Sequence, residues 1–158
     1  MSTVWQQIRS AIDTRLKAIL VTNGYQTDAG KNVYYWRTAS FAQDEEGNMP
    51  ELPGIKYYEL TEKNIAEAFP LRQNIVTLNV ECIASGSDDA TVKGIVDQVY
   101  QDVMKAIGTD ETWGGKAILT DKVGHEVKMD REEILVGAII ATFEVTYRHA
   151  RWDLTVQM

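Results

Sequence analysis

Thirteen consecutive residues, Leu135 to Tyr147 (LVGAIIATFEVTY), carry one charge and are otherwise apolar, small or threonine. Leu135, Gly137, Ile139, Ala141, Phe143, Val145 and Tyr147 are apolar or small, whereas the alternate positions pass from Val136, Ala138 and Ile140 to Thr142, Glu144 and Thr146. This is the pattern of a central β-strand with one face buried throughout and the other buried over its first half. The closing Phe-Glu-Val-Thr-Tyr alternation and the β-branched content favour a strand over a helix. As a helix the stretch is too short for a bilayer, which needs about 20 residues. A chain that must bury such a strand needs further strands beside it and a layer over it.

The flanking sequence supplies both. Thr3 and Gln6 fit a capping box, and Trp5, Ile8, Ile12, Leu16 and Ile19 recur at helical spacing, so an amphipathic helix is expected from residue 4 to about 22, stopped by Asn23-Gly24. A polar loop with Gly30 leads to a short strand at 33–37. Residues 38–54 lose periodicity and hold Asp44, Glu45, Glu46 and Glu51, which reads as a long, mobile acidic loop. A strand is expected at 55–62 with Tyr57 and Tyr58 on opposite faces, and 63–72 is ambiguous, with a short helical turn before Pro70 one reading. Asn74 to Ala84 alternates as a strand with Val76, Leu78, Val80, Cys82 and Ala84 inward.

Asp88 or Asp89 caps a second helix whose stripe is Val92, Ile95, Val96, Val99, Tyr100, Val103 and Ile107, with Gly108 ending it. Trp113-Gly114-Gly115 turns the chain into a strand at 117–123, and 124–133 forms a charged hairpin-like connection. The expected fold class is α+β: one domain over 1–158, with a mostly antiparallel sheet and two main amphipathic helices on one face, a core at about 4–147 and a C-terminal extension at 148–158.

Candidate chemistry is sparse. There is no phosphate-binding loop, dinucleotide fingerprint, HExxH or CxxC. Cys82, the single cysteine, lies on the inward side of its strand and reads as a packed core thiol, and its solitude excludes an internal disulfide. His125 and His149 have no further His or Cys nearby to complete a metal set, and both read as solvated. Asp44, Glu45 and Glu46 read as a solvated loop, with a divalent-cation site or a channel lining as the sharper alternative. Trp5 belongs to a helix face. Trp36, Trp113 and Trp152 lie in or beside loops and the tail, where a large aromatic is either an interface anchor or partly core. A small hydrolase using Asp28, His125 or Cys82 is a further alternative, but no nucleophile–base–orienter set is visible. The formal charge of −7 argues against a DNA-coating or anionic-membrane protein, and Met1 leads into a polar segment, so a reducing cytoplasm is expected.

The order and spacing of these pieces resemble the tail-terminator (minor tail, tail-completion) proteins of long-tailed bacteriophages and prophages. The resemblance rests on the helix ending at Asn23-Gly24-Tyr25, Thr27-Asp28-Ala29-Gly30 before Val33-Tyr34, and the strand–helix unit from Ile75 to Ile107. The turn Trp113-Gly114-Gly115 and the strand ending Phe143-Glu144-Val145-Thr146-Tyr147 complete it, over roughly Trp5 to Tyr147. It implies a structural, non-enzymatic protein without a cofactor. Such a protein forms a hexameric ring that caps the tail tube, stops its polymerisation and meets the head–tail connector, and it is assembled in the host cytoplasm and carried in the neck of the virion. Its partners are then its own copies, the tail tube protein and connector proteins. DNA passes through the lumen without specific binding, repelled by acidic lining, and no membrane is involved. A connector or stopper ring of the same neck region is the near alternative, and a monomeric ligand-binding module a more distant one. The long acidic loop and the residues after Tyr147 depart from the family's pattern.

Overall fold

The computed structural model describes residues 1–131 and 134–158. Its elements run α1 (Val4–Lys17), β1 (Val33–Tyr35), β2 (Gly54–Ala68), β3 (Leu71–Gly86), α2 (Asp89–Gly108), β4 (Ala117–Arg131) and β5 (Leu135–Ala150), with two short 3-10 turns between α1 and β1. The five strands form one sheet in the order β1-β2-β3-β5-β4, antiparallel except for the β1–β2 pair. Both helices share a core with the inward residues of β2, β3 and β5, so the α+β architecture is as expected.

The middle of the five strands is β3, not β5 as expected; β5 is interior, between β3 and β4. Its odd residues from Leu135 to His149 are all buried, while Val136 to Thr146 on the even side stay half-buried along the whole length. The expected burial of the even side over its first half is therefore corrected: these residues are half-buried from end to end, shielded by cross-strand neighbours and, beside Val136, by Phe41, Gln43 and Met49 of the 38–54 segment, which line one hollow with it.

Thr3 and Gln6 form the reciprocal capping box at 3.1 and 2.9 Å, but α1 stops at Lys17, short of the expected 22. The chain then makes a 3-10 turn ended by Gly24 at φ 85°, a left-handed conformation that favours glycine. Gly30 lies so close to the end of α1 that a Cβ there would meet the carbonyl oxygens of Ile19 and Lys17 at 2.6 Å. The contact requires a residue without a side chain.

Three further boundaries are corrected. The ambiguous segment 63–72 is strand on both sides of a tight hairpin at Phe69-Pro70, with no helical turn. The charged segment after Val123 continues β4 as far as Arg131, because its solvent-facing charges sit on an edge strand where water serves one side; residues 132 and 133 lie outside the described residues. Asp88 caps α2, accepting the N–H of Thr91 at 2.9 Å, and Gly108 is the last helical residue rather than the stop, which falls at Thr109.

Candidate functional site: the open sheet face, its edges and its exposed aromatics

Among the described residues, two surfaces of the sheet lack a helix layer or a strand partner over much of their extent. On the face away from the helices, a polar ladder crosses β2, β3 and β5. The Tyr58 hydroxyl donates to Glu81 Oε1 at 3.0 Å and accepts from Asn79 Nδ2 at 3.3 Å, and Asn79 Oδ1 accepts from Thr142 at 2.8 Å. Burial pushes the Tyr58 phenol up, so it stays a neutral donor. The ladder floors a hollow of about 540 Å³ that reaches Glu126 and Thr142.

The second surface is the edges. Among the described residues β4 pairs only with β5, and Ile118, Leu119, Val123, Val127 and Met129 along it are exposed. On the far side β1 covers Ile55–Tyr57 of β2, leaving β2 beyond Tyr57 without a strand partner on its outer edge among the described residues. Each edge strand carries two register shifts, the bulges natural sheets use to bend an edge. At about 3.3 Å per residue, the 15 residues of β4 present an open edge on the order of 50 Å long.

The tryptophans separate sharply. Trp36 (55% exposed) and Trp152 (80%) lie at the surface, as does Phe69 (84%), a residue the sequence did not single out. Trp113 does not: it is 1% exposed, its N–H donates to Thr120 Oγ1 at 2.7 Å, and Arg15 stacks 4.0 Å over the ring. The left-handed run Trp113 (φ 54°), Gly114 and Gly115 folds the indole under the sheet, so its candidacy as an interface anchor is withdrawn. His149 is likewise corrected from surface to core. β5 runs past Tyr147, so the odd-side alternation carries His149 inward, where Nδ1 donates to the Ala150 carbonyl at 2.6 Å and Nε2 accepts from Asn74 at 3.0 Å. The tail is also part of the fold: the Leu154 carbonyl accepts the N–H of Val4 at 2.7 Å, and Ala150 N–H donates to Val156 at 2.8 Å.

In the acidic loop Asp44, Glu45 and Glu46 are exposed. The Asp44 carboxylate is used locally, accepting the N–H groups of Glu46 and Asn48 at 3.0 and 2.8 Å. Glu51 anchors the loop: Arg37 donates to both its oxygens at 3.1 and 2.8 Å, and Tyr34 donates at 3.0 Å, which holds the carboxyl below its usual range. Among the described residues no group of three or more His, Cys, Asp or Glu is placed to hold a metal ion. No helix among them is long and apolar enough to cross a membrane.

The residues of the hydrolase alternative have separate partners. Asp28 accepts Val21 N–H at 2.9 Å and pairs with Lys31 at 3.2 Å, and His125 is exposed beside Tyr100. Cys82 is fully buried, and burial pushes its thiol up, away from the reactive thiolate.

Two carboxylates were not legible as special. Asp102, buried on α2, accepts Gln26 N–H at 3.0 Å, Thr27 N–H at 2.8 Å and the Thr27 hydroxyl at 2.8 Å, fastening the loop after α1 to α2. Its helical offset from Val99 and Ala106 places it on the buried stripe, a signal the apolar pattern hides. Glu59 accepts from Trp5 Nε1 at 2.8 Å, the Tyr35 hydroxyl at 2.6 Å and Trp36 Nε1 at 2.6 Å. No sequence spacing links these residues.

Compared with known proteins, the chain matches no protein-family model and none of the curated proteins.

Proposed function

We propose that this chain is a structural subunit of the tail-terminator type, which joins copies of itself into a ring, six in the resemblance, that caps a phage tail tube, stops its polymerisation and presents a face to the head–tail connector. The observation that carries the self-assembly is the pair of unprotected edges on opposite sides of one sheet, β4 with five exposed apolar side chains and β2 beyond Tyr57. A long open edge is a template for pairing with another chain, and two different edges on opposite sides suit head-to-tail contacts, which close into rings when the rotation allows. The resemblance supplies the tail; the physical reading supplies the preference for assembly over catalysis, since no nucleophile, base and orienting group converge among the described residues.

Six copies at −7 bring about 42 negative charges together, a repulsion that salt screens within a Debye length of about 10 Å at 0.1 M and about 3 Å at 1 M. Apolar edge contacts do not weaken with salt. Light scattering of the purified chain over a salt series should show mass rising towards a ring as salt increases, and mass falling would refute apolar edges as the adhesive. Binding to purified tail tubes, and not to connector rings alone, separates a terminator from a stopper. A chain that stays monomeric in all salts and in the presence of tube ends overturns the proposal.

A further inference from the structure

One surface feature is explained neither by the core nor by the sheet edges. Trp36 holds φ 54°, a left-handed backbone that a bulky residue adopts rarely and at a cost, with its indole more than half exposed. The other left-handed tryptophan, Trp113, is compensated by complete burial of its ring. Trp36 has no such burial. Its strained backbone aims the indole N–H at Glu59 and tilts the ring over Tyr58 at 5.9 Å.

The indole forms one wall of a hollow of about 260 Å³. Trp5 and Trp36 supply its aromatic surface, Glu59 and Glu62 its carboxylates, and Leu60, with the nearly covered Val76, its apolar lining. Glu59 is fixed by Trp5, Tyr35 and Trp36, whose donated hydrogen bonds outweigh its partial burial and hold its carboxyl below the usual range. It therefore stays charged at neutral pH. Arg9, stacked 4.5 Å over Tyr35, offsets part of that charge. Glu62 uses one oxygen, Oε1, to accept from Asn74 at 2.8 Å and from Tyr147, while Oε2 has no hydrogen-bond partner among the described residues. Two indoles beside two carboxylates, one with a free oxygen, form the complement of a soft organic cation, which gains from the ring faces and from the negative charge together. A small hydrated metal ion gains little from the indoles.

We propose that this hollow binds a guanidinium or alkylammonium group between Trp36, Trp5, Glu59 and Glu62, carried either by a small molecule or by an arginine or lysine side chain of a protein partner. The site lies within one subunit and does not depend on the ring reading.

The test follows the indole N–H resonances of Trp5 and Trp36 in the full chain as cation is added. Three probes are used: N-acetylarginine methylamide, tetramethylammonium, and a short peptide with one arginine and one lysine between glycines. Saturable shifts with the small probes are expected at millimolar concentration, and shifts with the peptide alone assign the site to a protein side chain. Trp36→Ala and Glu62→Gln should each weaken binding at least tenfold, about 1.4 kcal/mol, with an unchanged circular dichroism spectrum showing that the fold persists. The Trp36→Ala change removes an exposed ring from a strained position, and Glu62→Gln keeps an acceptor for Tyr147, so one of the two serves if the other fails to fold. No saturable shift with any probe overturns the proposal. So does equal binding of uncharged N-acetylcitrulline methylamide, or equal binding by both folded variants. Light scattering recorded alongside keeps this outcome separate from the oligomeric one.

Discussion

Replacing Trp113 distinguishes a core residue from an interface anchor, and the structure sets the scale. The indole is 1% exposed, stacks under Arg15 at 4.0 Å and donates to Thr120 Oγ1 at 2.7 Å. Truncating a buried aromatic costs about 3–5 kcal/mol, from lost transfer energy and the cavity left behind. At roughly 2–4 °C per kcal/mol for a domain of this size, Trp113→Ala should lower Tm by about 6–20 °C. Trp113→Phe keeps most of the ring and loses the N–H donor. Because Thr120 still donates to the Glu111 carbonyl at 2.8 Å, only one acceptor site is left empty, and the loss should be about 1–2 kcal/mol. Trp113→Gly offers an internal control: it removes the same ring but relaxes φ 54°, recovering on the order of 1 kcal/mol, so it should be no less stable than Trp113→Ala. Urea unfolding with a shared m-value measures all three, and light scattering in high salt reads assembly. A Trp113→Ala protein within about 1 kcal/mol of the parent, yet unable to assemble, would return Trp113 to the interface and refute this account.

Asp110 gives a pH signature. Its carboxylate accepts from the Thr112 hydroxyl and from the N–H groups of Gly114 and Thr112, which pull its pKa down from the usual 3.8 to about 2. A depressed carboxyl stabilises the fold above about pH 4 and loses that contribution as pH falls towards 2, so Asp110→Asn should flatten the urea midpoint over that window; an unchanged slope refutes the assignment. Cys82, fully buried, should react with a thiol reagent only through opening of the fold; labelling at the rate of the urea-unfolded chain would contradict its burial. Limited proteolysis should cut first within residues 43–49, and Glu51→Ala, which removes the anchor held by Arg37 and Tyr34, should speed the cut; resistance there while the rest of the chain is cut would show the loop to be protected.

Much of the fold is written in local periodicity. The alternation from Leu135 to Tyr147 marks an interior strand, the stripe from Val92 to Ile107 the second helix, and Thr3 with Gln6 the start of the first. These features depend on which side of one element is apolar, and a chain carries that information residue by residue. The turn at Trp113-Gly114-Gly115 was legible for the same reason, although the direction in which it sends the indole was not.

Sequence alone marks the cores of both helices and of β3 and β5 with their inward faces, and the buried place of Cys82. Tertiary structure alone decided what each element lies beside. Strands β2 and β4 extend through charged segments because they are edges with water on one side, a status that exists only once the sheet order is set. His149 is core because β5 continues past the apolar run, kept in register by Arg72 of β3. The hollow between Trp5, Trp36, Glu59 and Glu62 joins a helix, a loop and a strand 54 residues from Trp5 to Glu59 along the chain. Pairing over such separations is fixed by packing of the whole core, and no spacing within the sequence encodes it.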